Sequence, residues 1–481
     1  MTCRAHGAAY NDGNPIIRRY TLRGLTRPLT IVWSVFISGA SHNSPGARLL
    51  TAQSDSDAVL DKINTGSRPS DLKITDMRIA VVGQDNWRWP IIRIYTNQGL
   101  VGLGEVRDGA SARYALMLKS RLLGENPTEI DRLFRKIKQF GGDARLGGGV
   151  CGVEMALMDL AGKAYGVPAY MFAGGKFRDS VRCYADTPAL RDPKAMGEAL
   201  KGRMERGFTY LKMDIGTWIA EAVEGGLNYP SGMLETNDIS HPLTGIQITD
   251  RGIEAMQEYV ATVRDIIGYE IPLASDHFGH IGLESCIKVA RALDQFSLAW
   301  YEDMIPWQYT DQWKRLAESC TTPVCTGEDI YLKEGFKPLL DSRAVGVIHP
   351  DLATSGGILE TKKIGDYAQE HGVMMALHQA GSPVVAMANV HCGLATENFM
   401  ALEMHSVDNP WWDDLVDGIS KPIVENGYIQ APEGPGLGIE LNEEAVAEHI
   451  NRGNENFATH QGMFEPTDEW DALDAHDRTW S

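Results

Sequence analysis

The stretch GVIHPDLATSGGILETKKIGDYAQEHGVMMALHQ, residues 346–379, reads as one complete strand–helix–strand unit. Its first apolar run, GVIHPD, ends on Asp351. A helical stretch, GILETKKIGDYAQEHG, follows, and a second apolar run, MMALHQ, reaches His378. A short apolar run, an amphipathic helix and a second apolar run form the pattern of two parallel strands joined by a crossover helix.

Outward from this unit the pattern repeats. Upstream lie VRCYAD, TYLKMD, IPLASD, LAWYED and PVCTGE, downstream lies FMALEM, and helical stretches such as LESCIKVARALDQF separate them. Repetition about eight times argues for a closed parallel β/α barrel. A doubly wound open sheet is the structural alternative. No G-x-G-x-x-G follows the first run, so a dinucleotide fold has little support. One insertion, Thr217 to Asp250, follows the second run. It is rich in Gly and Asn, contains Trp218, and falls where the active-site loops of a barrel fall. Ahead of the barrel, ITDMRIAVVG, PIIRIYTNQG and LVGLGEV read as three strands, and from Ala112 to about Tyr165 the pattern turns helical. The expected organisation is a leader over 1–70, an α+β domain over 71–180, the barrel over 181–420, and over 421–481 a segment returning to the α+β domain, with a tail.

The leader has its own character. Arg18-Arg19 precede an apolar run from Leu29 to Ala40 and a small, polar stretch from Ser41 to Ala47. That is the layout of a twin-arginine export signal; an upstream extension is the plainer reading. The location is therefore either periplasmic by that route or cytoplasmic. The run is short for a bilayer span, and no later segment reads as transmembrane.

The 481 residues are 43% hydrophobic and 23% charged, which is ordinary globular composition. The formal net charge of −19 gives no basic footprint for nucleic acid. It does not forbid an anionic substrate, because a bound metal and local lysines reverse the field within a pocket. The seven cysteines (Cys3, Cys151, Cys183, Cys286, Cys320, Cys325 and Cys392) are scattered, odd in number and without a C-x-x-C pair. They read as free, mostly buried thiols rather than a disulfide framework.

Nearly every apolar run ends on a chemically useful side chain. Lys212 and Asp214 end the second, Asp276 the third, Glu302 the fourth, Glu328 the fifth, Asp351 the sixth, His378 the seventh and Glu403 the eighth. Each interval is about one β/α unit, so these groups should ring one mouth of the barrel, the face that carries catalysis. A single acid there would read as a helix cap, but capping does not require Glu. Asp276, Glu302 and Glu328 offer three hard oxygen ligands, which suit Mg²⁺ or Mn²⁺ with open positions for substrate. Such a metal stabilises the charge formed when a carbon acid next to a carboxylate loses its proton. His378 is the candidate base, with Asp351 placed to orient its ring. Lys212 is positioned to neutralise a substrate carboxylate, and Glu403 to meet its oxygens. His277 and His280, just after Asp276, read either as donors to a leaving hydroxide or as surface histidines.

These residues resemble a family. From about Ile74 to Leu441 the chain is similar to the enolase superfamily in its mandelate racemase/muconate lactonizing enzyme-like branch. The most specific stretch is VCGVEMALMDLAGKAYGVPAYMFAGGKFRDSVRCYAD, residues 150–186, supported by TNQGLVGLGEV, YEDMIP, GEDI, HPDLATSGGI and NGYIQAPEGPGLGIEL. The resemblance implies a modified TIM barrel, (β/α)₇β, with an N-terminal α+β capping domain. It implies one Mg²⁺ per subunit on Asp276, Glu302 and Glu328, an Asp351–His378 general base, and a homo-oligomer. It also implies that GQDNWRWP, residues 83–90, and the turn at Arg107 close over the substrate, so that Trp87, Arg88 and Trp89 help set specificity. The sequence departs from the family at one place. Many relatives carry Lys-x-Lys after the second strand, whereas this chain has Lys212-Met213-Asp214. A second base is then missing or changed, which weighs against two-base racemisation. The expected chemistry is dehydration of an acid sugar to a 2-keto-3-deoxy acid. The alternatives are a cycloisomerase or epimerase acting on a small carboxylate, and a metal-binding sensor without turnover.

Overall fold

A computed structural model of the protein describes residues 67–84, 87–228, 245–276, 281–451 and 463–467. The twin-arginine segment, His277 and His280 lie outside the described residues, as does the middle of the Thr217 to Asp250 insertion, residues 229–244. Among the described residues no helix is long and apolar enough to cross a membrane.

Three strands, β1 (Ile74–Val82), β2 (Trp89–Thr96) and β3 (Val101–Glu105), form an antiparallel meander. The Asn97-Gln98-Gly99 turn between β2 and β3 uses Gly99 at φ 81°. The helical region after β3 is broken into short pieces before the long helix α1 (Gly148–Tyr165). α1 is buried over nearly its whole length, so it lacks an amphipathic stripe. Its small residues let the sheet lie directly on it. A Cβ added at Gly104 would stand 1.9 Å from the Gly152 carbonyl oxygen, and one at Gly102 would stand 2.3 Å from that of Ala156. Backbone cannot yield as a flexible side chain does. Gly104→Ala is therefore expected to cost about 1–3 kcal/mol by overpacking. A clearly lower thermal midpoint checks this; an unchanged one would mean that sheet and helix separate freely.

The barrel strands are β4 (Ser180–Ala185), β5 (Leu211–Asp214), β6 (Leu273–Asp276), β7 (Tyr301–Glu302), β8 (Val324–Thr326), β9 (Val347–Ile348), β10 (Met374–Leu377) and β11 (Phe399–Met404). All pair in parallel, and β11 closes on β4 through Leu402↔Cys183, Glu403↔Tyr184 and Met404↔Ala185. Closure excludes the open-sheet alternative. Helices α2 (Pro193–Glu205), α3 (Asp250–Ile267), α4 (Leu283–Leu293), α5 (Thr310–Ala317), α6 (Leu332–Asp341), α7 (Gly357–Glu370) and α8 (Pro383–Ala395) follow the first seven strands. This is the (β/α)₇β barrel with its α+β cap. A further strand, β12 (Tyr428–Gln430), adds antiparallel to β4.

The barrel interior is plugged by one layer: Tyr184, Tyr210, Ala274, Trp300, Cys325, Val347, Ala376 and Ala401. Tyr210 and Trp300 stack with ring centroids 5.1 Å apart. Side chains two apart on a strand face the same way. Stepping two residues on from the plug gives Asp186, Lys212, Asp276, Glu302, Gly327, His349, His378 and Glu403. The floor of the mouth and its chemistry are thus successive layers of one alternation. The β8 chain departs from it at Gly327, with φ 147°, which lets the next residue, Glu328, turn into the ring.

Candidate active site

Lys212, fully buried, stands at the centre of the acids. Its Nζ lies 2.6 Å from Asp276 Oδ2, 3.0 Å from Glu302 Oε1 and 2.7 Å from Glu403 Oε1. Burial disfavours its charge, but these three carboxylates outweigh that and raise its pKa. Burial alone would raise Glu302 and Glu403; His349 and Lys212 pull Glu302 well below its ordinary value, and Lys212 does the same for Glu403. Glu403 is therefore ionised, an acceptor rather than a donor. Asp214 is paired in register with Asp276, one strand over.

His349 was not singled out by strand-end reading. It is fully buried between two acids, with Nδ1 3.1 Å from Glu302 Oε1 and Nε2 3.3 Å from Glu403 Oε2. The Tyr184 hydroxyl meets its Nε2 at 2.6 Å. Burial works against its charge, yet Glu302 and Glu403 push its pKa up to about 10. Trp300 Nε1 donates to Glu302 Oε2 at 2.8 Å, so the plug layer fixes that carboxylate from below.

Asp351 and His378 meet across adjacent strands. His378 Nδ1 lies 2.6 Å from Asp351 Oδ2. Asp351 Oδ1 accepts from the Ala353 N–H at 2.6 Å, and Arg107 pairs with Oδ2. Burial would raise the Asp351 pKa; Arg107 and His378 bring it down to about 2. With Nδ1 committed to Asp351, the ring turns Nε2 toward the acid cluster, 3.0 Å from Glu328 Oε2. Glu328 is also 3.6 Å from Arg107 Nη2.

Glu302, Asp303 and Glu328 present carboxylate oxygens within 4.8 Å of one another. Asp276 joins this group through the Lys212 ammonium that it shares with Glu302. Asp303 is an acid that the strand-end reading passed over, being one residue beyond Glu302. The donors are hard oxygens clustered at the ends of adjacent strands, and Lys212 Nζ already sits there as a cation. The set fits a hard divalent ion.

The loop residues divide. Arg107 is buried, on the Asp351–His378 pair, with its Nη1 2.8 Å from His378 Nδ1. Trp89 is buried too, its Nε1 donating to the Ala380 carbonyl at 3.0 Å. Arg88 is half-buried and its carbonyl accepts from Gly109 N–H at 3.1 Å. Trp87 is the exposed one, at 43%, with its ring 6.3 Å from that of His405. Trp218 packs edge-on against Tyr259 of α3, at 5.5 Å between centroids.

Barrel and cap agree with family-level comparison. Residues 195–445 match the enolase C-terminal domain-like family, and residues 63–174 match the N-terminal domain of the mandelate racemase/muconate lactonizing enzymes. The chain belongs to the enolase superfamily, in its mandelate racemase/muconate lactonizing enzyme-like branch. Among its superfamily relatives is a D-xylonate dehydratase of Haloferax volcanii, 34% identical over 408 residues, covering 83% of this chain and 94% of that one. A D-galactonate dehydratase of Verminephrobacter eiseniae is 28% identical over 375 residues, covering 75% and 91%. A solved mandelate racemase/muconate lactonizing enzyme-like protein from Rubrobacter xylanophilus superposes with a TM-score of 0.69 at 33% identity, over 79% of this chain and 98% of that one.

Proposed function

We propose that this protein is an acid-sugar dehydratase, a hydro-lyase that removes the α-proton of a sugar acid and expels the β-hydroxyl to give a 2-keto-3-deoxy acid. The observation that carries the reading is the His378–Asp351 pair, whose Nε2 meets Glu328 at the edge of the acid cluster. The dehydratase names of its relatives support the same reaction class.

His378 Nε2 is the proton acceptor. Asp351 holds the tautomer and stabilises the imidazolium that forms. Asp276, Glu302 and Glu328 would hold Mg²⁺, or Mn²⁺, which when bound supplies positive charge for the substrate carboxylate as its α-proton leaves. Lys212 adds a fixed ammonium between Asp276, Glu302 and Glu403, and Trp87 of the cap stands beside His405. The Asp214 carboxylate stands where a second lysine base is found in many relatives, so proton exchange on both faces lacks its usual partner.

The test is a panel of sugar acids, D-xylonate and D-galactonate among them, with purified protein and Mg²⁺, reading 2-keto acid formation. Turnover is expected to vanish with chelator and return with Mg²⁺. Exchange of the α-proton for deuterium with no keto acid on any panel member would point to an epimerase instead. Neither exchange nor keto acid would sink the enzymatic reading.

A further inference from the structure

A second histidine–aspartate pair stands at the same mouth. His405 follows β11 and Asp186 follows β4, the two strands that close the barrel. His405 Nδ1 lies 3.3 Å from Asp186 Oδ2, and the Asp186 N–H donates to the Met404 carbonyl at 3.2 Å, which fixes the two ends together. The His405 ring centroid is 5.3 Å from that of His378. One ring nitrogen of each histidine and a Glu403 oxygen lie within 4.8 Å of one another.

The bland reading is that His405 merely balances Glu403. Two observations speak against it. Lys212 at 2.7 Å already neutralises Glu403, and His349 lies 3.3 Å from its other oxygen. His405 Nε2 lies 3.4 Å from Glu403 Oε1, a long contact, and is a buried nitrogen that lacks a well-formed hydrogen bond among the described residues. A buried polar atom left unsatisfied calls for a functional explanation. The groups facing the ring are Glu403, Asp186, Lys212, His378 and Trp87. Burial and Lys212 oppose its charge, but Glu403 and Asp186 prevail and push its pKa up to about 9. His405 is thus a proton donor at neutral pH, beside a histidine that must be a proton acceptor.

We propose that His405, seated by Asp186, is the general acid that protonates the departing β-hydroxyl. This rests on the dehydratase reading above. His378 takes the α-proton, and the C–H electron pair becomes the new carbon–carbon double bond. The β-carbon–oxygen bond breaks with its electron pair, His405 Nε2 gives its proton to that oxygen, and water leaves. The enol becomes the keto acid by returning its hydroxyl proton to neutral His405 and taking the proton of His378 at the β-carbon. Both histidines end as they began.

The experiment compares two leaving groups on the full-length, Mg²⁺-loaded enzyme. The probes are D-xylonate, or whichever panel acid the wild type dehydrates fastest, and its 3-deoxy-3-fluoro analogue, because fluoride leaves without a proton. His405→Asn is expected to lower kcat for water loss by about 10²–10⁴-fold, while fluoride loss and α-deuterium exchange stay within about tenfold of wild type. Asp186→Asn is expected to show the same selectivity with a smaller loss. Circular dichroism confirms folding of each variant, and retained fluoride loss shows it independently. Equal loss of both eliminations would make His405 a positioning residue and overturn the proposal. So would undiminished water loss, or the selective pattern appearing in His277→Asn and not in His405→Asn. A wild type inactive on every panel acid overturns the dehydratase reading and this proposal together.

Discussion

His378→Asn removes both α-proton exchange and keto acid formation, with kcat falling by at least ~10³-fold. Asn fills nearly the same space and can still hydrogen-bond Asp351 Oδ2, now 2.6 Å from the histidine Nδ1. It cannot take a proton at neutral pH. Asp351 keeps its other partners, Arg107 and the Ala353 N–H, so the mouth retains its charge arrangement. The loss should therefore be in kcat, with KM and thermal midpoint little changed. Keto acid release and deuterium incorporation measured in parallel check this. Because exchange needs the base but not departure of the β-hydroxyl, its survival in the variant would assign the proton acceptor to another group.

The second large effect is on stability. Lys212→Met leaves Asp276, Glu302 and Glu403 buried without the ammonium that all three share. Breaking a buried charge pair by deleting one partner typically costs about 3–5 kcal/mol. In metal-free buffer the variant should unfold at markedly lower denaturant than the parent. The sign of the pH dependence follows from the carboxylates. Glu302 and Glu403 are held below the ordinary glutamate value of 4.5, so their stabilisation is full above that pH and is lost as pH falls. The deficit of the variant should therefore be greatest near neutrality and shrink in acid. Added Mg²⁺ should narrow it, since Asp276 and Glu302 are proposed ligands. A deficit that does not depend on pH would trace the loss to packing of the lysine stem.

The eight barrel strands were legible because buried parallel strands are near-continuous apolar runs, and in this chain each ends abruptly on a polar side chain. The strand-end rule named Lys212, Asp276, Glu302, Glu328, Asp351, His378 and Glu403, which the structure places in contact at one mouth. It missed His349 and gave Asp186 no role, because it looked at the last residue of each run rather than at the inward alternation. Val347 and Tyr184 are plug residues, and their neighbours two places on point into the same mouth. That alternation is present in the sequence once the inward face is known. His405 lies beyond the end of the FMALEM run and needed the closure of β11 on β4 to find Asp186. The role of Arg107 was not legible. Its contact with Asp351 spans 244 residues of chain, and no local pattern announces a partner that far away. The single helical region expected from Ala112 to Tyr165 is broken into pieces, with turns at Gly124 and Gly141 interrupting the periodicity.

Arg107 sits two residues past β3, yet its guanidinium holds the aspartate that orients the barrel's histidine. The orientation of that histidine is consequently a joint property of two segments otherwise built from separate stretches of chain. Grafting the cap of one superfamily member onto the barrel of another, to transplant substrate preference, would also transplant or delete this arginine. A chimera that lacks it at the matching position would inherit a folded barrel with a misdirected histidine. The practical unit of recombination in this enzyme is the cap together with the strand ends it touches.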